Sequence, residues 1–94
     1  NLKTMSNWKQ RAKELIGKAE LLQTITVMNN NGIDTGTLST QVLMLEAESE
    51  AHVKNKTQYA PGEYAKHSAK FSEITWALLQ KIDGTNKPMP EYLK

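Results

Sequence analysis

Residues 5–28 read MSNWKQRAKELIGKAELLQTITVM. Within them Met5, Trp8, Ala12, Leu15, Ala19 and Leu22 recur at alternating steps of three and four, the apolar seam of a packed helix. The spacing predicts one helix over about 6–29. Ser6 is placed to cap its first turn, and Asn29-Asn30-Asn31-Gly32 supplies residues that tolerate the left-handed conformation at a helix end. Gly17 falls on the outer face, where it costs up to about 1 kcal/mol relative to Ala. Thr24-Ile25-Thr26-Val27 is a β-branched run that prefers strand. Helix remains the expectation, because no second convincing strand exists for it to pair with.

Two further stretches carry the same period. After the Gly32-Ile33-Asp34-Thr35-Gly36 turn, Leu38, Val42 and Leu45 form a seam over 37–54, widened by Leu43 and Met44 and turning polar at Ser49 and His52. Pro61 suits a first helical turn, where its missing N–H would be unpaired anyway. From there Tyr64, His67, Phe71, Ile74, Leu78 and Ile82 line a third helix over 61–82, and Asp83-Gly84 ends it. Pro88 and Pro90 forbid further helix, leaving an extended tail over 85–94. The expected architecture is all-α: a three-helix up-down-up bundle in one domain over 1–94, with Met89, Tyr92 and Leu93 folding back onto it.

Composition narrows the class of function. Zero Cys favours a reducing or indifferent compartment, and the opening residues lack the pattern of a secretory leader, so a soluble, cytoplasmic protein is expected. Asn1 in place of Met fits a chain cut from something longer. Apolar runs of at most four residues fall far short of the ~18 a membrane span needs, so no membrane association is expected. A net charge of +2 is too small to imply nucleic acid by itself.

No Cys nucleophile, phosphate loop, HExxH or EF-hand loop is present, so no enzyme and no cofactor is expected. Three constellations remain. Ala65, Ala69, Ser72, Trp76 and Leu79 form a second stripe on the third helix, and a helix apolar on two faces must bury both. Trp is enriched at interaction hot spots, which points to a docking face for a protein partner or a second copy. The competing reading is that the tail covers Trp76.

Lys9, Arg11, Lys13 and Lys18 on the first helix form a candidate nucleic-acid contact, with Trp8 available to stack on a base. Trp8 on the inward seam reads more readily as core, and Lys18 as a partner of Glu48 across a helix hairpin. Last, Glu48/His52 and Glu63/His67 are each spaced i,i+4. Folding the second and third helices together about residues 57–58 brings both pairs to one face, with ligands that Zn²⁺ accepts. Di-metal bundles normally use Glu-x-x-His instead, so ordinary seam histidines hydrogen-bonded to nearby Glu are the favoured reading. The leading expectation is a non-enzymatic adaptor, inhibitor or accessory protein acting through the Trp76 face.

Overall fold

The computed structural model describes residues 2–54 and 61–91, with side chains over 7–51 and 62–91. Among them every regular element longer than a turn is helical: α1 spans Leu2–Gly17, α2 Leu21–Asn30, α3 Leu38–Lys54 and α4 Pro61–Asp83. The all-α expectation holds, but the first helix of 6–29 is two helices. The Met5, His52, Tyr92 and Leu93 side chains and the 55–60 connection lie outside the described residues.

The division falls at Lys18–Glu20. Ala19 adopts φ +61°. Its N–H donates to the Ile16 carbonyl at 2.9 Å, and the Glu20 N–H reaches back to the Leu15 carbonyl at 2.9 Å. These two bonds around a left-handed residue make a Schellman closure. Gly17 lies two positions earlier, as the last residue of α1. The residue that stops the helix is therefore an alanine, the best helix former, and the break is hidden in the sequence. The other two closures use glycine as expected, with Gly32 at φ +81° and Gly84 at φ +69°.

Past the turn, α2 folds back along α1, so that Trp8, Arg11 and Glu14 stand beside Val27, Asn30 and Asn31. Leu21 rather than Leu22 now enters the core, together with Ile25 and Met28. The β-branched run is accommodated as helix because its hydroxyls find carbonyls one turn back. Thr24, fully buried, donates to Glu20 O at 2.9 Å, and Thr26 donates to Leu22 O at 3.0 Å. The Thr35 hydroxyl donates to Asn29 Oδ1 at 3.2 Å, tying the entry to α3 onto the end of α2.

Ala12, Leu15, Leu21, Ile25, Met28, Val42, Leu45, Ile74, Leu78 and Ile82 build the core from all four helices. Burying a side chain of Leu or Ile size contributes about 1.5–3 kcal/mol. Lys13 Nζ meets Asp83 Oδ1 at 2.8 Å and Ala19 lies near His67 and Phe71, so α1 and α4 run in opposite directions. Asp83 sits at a helix C-terminus, where negative charge is disfavoured, and the Lys13 ammonium offsets it. Lys18 does not pair with Glu48. Glu48 instead approaches His67 across α3 and α4.

The core stops at Leu45 and Phe71, while both helices continue beyond it. Tyr64, assigned to the inward seam by its spacing, is 62% exposed. Its face is right, but it lies beyond the end of the core at Leu45 and Phe71. The radius of gyration, 14.6 Å, exceeds the ~12 Å of a compact domain this long. Leu43 and Met44 do not widen the α3 seam either; they point outward at 56% and 68% exposure.

The αL alanine is directly testable. Ala19→Gly relieves a left-handed β-carbon worth about 1–2 kcal/mol and is expected to raise Tm by several degrees. Gly17→Ala, with nothing within 4 Å of the added Cβ, is expected to stabilise by up to about 1 kcal/mol. Gly84→Ala is expected to destabilise. Thermal denaturation followed by circular dichroism checks all three, and a lower Tm for Ala19→Gly contradicts the closure described.

Candidate functional site

α4 presents the stripe on one side and the core seam on the other. Ala65 and Ala69 are exposed, while Ser72, Trp76 and Leu79 are half-buried. The half-burial comes from the tail. Gly84 reverses the chain, and residues 85–90 run back over the last turns of α4 as an extended segment. Gln80 pins it: its Oε1 accepts the Thr85 hydroxyl at 2.6 Å and the Lys87 N–H at 2.9 Å. One turn away, Trp76 Nε1–H donates to the Lys87 carbonyl at 2.8 Å. The polar edge of the indole is thus satisfied within the chain.

The apolar body of the indole is not shut away. Phe71, Ser72, Thr75, Trp76, Leu79 and Met89 line an open groove of about 250 Å³. Its floor is rigid, because Ile74 and Leu78 of the same helix are locked in the core. Thr75 Oγ1 is buried and has no hydrogen-bond partner. A buried hydroxyl left unpaired costs about 1–3 kcal/mol. The sequence assigns Phe71 to the inward seam rather than to this groove and marks neither Thr75 nor Gln80. Gln80 carried a readable signal, standing one helical turn from Trp76 and just before the Gly84 reversal.

The basic residues of α1 do not share one face. At 100° per residue Lys13 lies about 160° from Arg11, on opposite flanks of the inward seam. Lys13 is engaged by Asp83, and Lys9 Nζ stands 5.9 Å from the centroid of the Trp8 ring. Arg11 lines a depression of about 500 Å³ with Trp8, Asn30 and Asn31, near the C-terminus of α2, where a cation complements the helix dipole. Lys18 is exposed beside the turn. Trp8 itself is half-buried against the core.

Of the Glu/His set, Glu48 and His67 come together as the folded register expected: Glu48 Oε1 lies 3.7 Å from His67 Nδ1. Glu63 lines the same furrow, alongside Lys66 and Lys70, whose charges work against a bound cation. The His52 side chain lies outside the described residues, and among those described no three metal-ligating side chains gather.

Ser49 Oγ stands 3.3 Å from His67 Nε2, which sets Ser49, His67 and Glu48 in the order of a nucleophile, base and carboxylate. The chemistry is incomplete. At 3.7 Å the carboxylate is beyond hydrogen-bond length, and Ser49 lies inside α3, whose neighbouring N–H groups are spent in helix bonds. Among the described residues no oxyanion donors are seen facing it. The cluster ties α3 to α4 where the apolar core has ended.

No protein-family model, curated protein or solved structure matches this chain. Among the described residues no helix is long and apolar enough to cross a membrane.

Two substitutions probe the groove. Thr75→Val removes the unpaired hydroxyl at nearly constant volume and is expected to stabilise the fold by about 1 kcal/mol in urea denaturation. Gln80→Ala is expected to release the tail. In a Trp8→Phe background Trp76 emission should then shift to the red, and the Lys87 amide should exchange several-fold faster.

Proposed function

We propose that this chain is a non-enzymatic interaction protein that receives an apolar side chain of a partner protein in the groove beside Trp76. The carrying observation is the groove itself: an open, apolar concavity on the rigid face of α4, flanked by a tryptophan. Hot-spot residues sit in such settings, where a rigid aromatic wall excludes water around an inserted group. Ala65 and Ala69, exposed further along the stripe, let a partner backbone approach closely.

A photo-crosslinking residue placed at Leu79, in cells that make the protein, tests the reading. Adducts to a discrete partner at Leu79, absent when the crosslinker stands at exposed Lys81, are expected. Identical adducts at both positions, or none, overturn the groove as the docking site. Light scattering of wild type and Trp76→Ala separates the other occupant: a dimer lost in the variant means that a second copy fills the groove. The non-enzymatic part has its own check, because ester hydrolysis by wild type is expected to equal that of His67→Ala.

A further inference from the structure

α3 carries a second apolar face, opposite the one that enters the core. Val42 and Leu45 are buried, whereas Leu43, Met44, Ala47 and Ala51 are exposed. At 100° per residue these four fall within an arc of about 100° on the far side of the helix, the width of a packing face. Leu43 and Met44, at 56% and 68% exposure, are among the most exposed large apolar side chains of the described residues.

The borders of this face differ in charge. Along the Met44 edge Glu48 stands 3.7 Å from His67, and the Lys70 cation lines the same furrow as Met44 and Glu48. Along the Leu43 edge stand Glu46 and Glu50, both exposed, with no ion pair among the described residues. α3 carries no cation before Lys54. One edge of an exposed apolar ridge is thus an uncompensated acidic rim, on a chain whose net charge is +2.

We propose that the outward face of α3 docks an amphipathic helix of a different protein, laying its apolar ridge on Leu43 and Met44 and its Lys or Arg edge against Glu46 and Glu50. Charge complementarity selects this occupant. A second copy related by a two-fold axis would bring the same patch to itself. In an antiparallel pair Glu46 and Glu50 would face their own counterparts, carboxylate against carboxylate. In a parallel pair they would face the mixed edge of Glu48 and Lys70, so neither pairing gives them the purely basic border that a Lys- or Arg-edged helix brings. The face is distinct from the Trp76 groove and does not depend on the reading given to that groove.

A fluorescein-labelled Leu/Lys amphipathic helix of about 18 residues is the probe, compared by anisotropy with a matched Leu/Glu helix at ~50 and ~300 mM salt. The Leu/Lys helix is expected to bind about tenfold more tightly than the Leu/Glu helix, a preference that salt weakens. Leu43→Ser/Met44→Ser, whose helicity is checked by circular dichroism, is expected to weaken binding by about tenfold. Glu46→Gln/Glu50→Gln is expected to weaken it several-fold and flatten the salt dependence, while Trp76→Ala leaves it unchanged. Equal affinity for the two helices, no binding, or indifference to the Leu43/Met44 change overturns the proposal. So does a concentration-dependent dimer in light scattering that the Leu43/Met44 change abolishes, which would make a second copy the occupant.

Discussion

At Ala19 the backbone takes a left-handed turn in a residue type that disfavours it, and two hydrogen bonds from the turn back to Ile16 and Leu15 hold it there. Without that reversal α1 and α2 would form one rod, and Leu21, Ile25 and Met28 would leave the core for solvent. With it, α2 lies against α1 and completes a four-sided interior whose remaining walls are Val42 and Leu45 from α3 and Ile74, Leu78 and Ile82 from α4. Burial of those side chains outweighs the local cost of the αL alanine, since Leu21, Ile25 and Met28 together contribute more than that cost. Local strain is sustained by tertiary packing.

The same core explains where the molecule is open. It ends at Leu45 and Phe71, yet α3 and α4 run on, joined there by the Glu48–His67–Ser49 contacts. A groove remains on α4 because the tail, pinned by Gln80, satisfies the indole N–H of Trp76 but covers only part of its ring. A ridge remains on α3 because the helix is apolar on both faces and the bundle has room for one. Both surfaces are the ground on which docking is proposed.

Much of this was legible beforehand. The start of α4 at Pro61, its stop at Asp83-Gly84, the end of α2 at the Asn-Gly run and the stripe through Ser72, Trp76 and Leu79 all follow from local rules of capping and period. The pairing of Glu48 with His67 followed from folding two helices about a polar connection. Less was legible where two local signals agreed on a wrong answer. The seam through Ala19 and Leu22 continued the period without interruption, so pattern and propensity together hid the break.

Helix type, the amphipathic faces and the helix ends marked by Pro61, the Asn-Gly run and Asp83-Gly84 are properties of neighbouring residues, and the amino-acid order alone determined them; the start of α1 at Leu2 and its stop before Ala19 were not among them. Which apolar residues are covered is a property of distant ones, and only the tertiary structure decided it. Tyr64 has the spacing of a core residue yet stays exposed because it lies beyond the end of the core, and Met44 stays exposed because it stands on the side of α3 away from Val42 and Leu45. Leu21 displaced Leu22 because a turn, invisible in the period, rotated the helix that follows. Periodicity states which side of a helix seeks a partner; the length and direction of the other helices settle whether one is there.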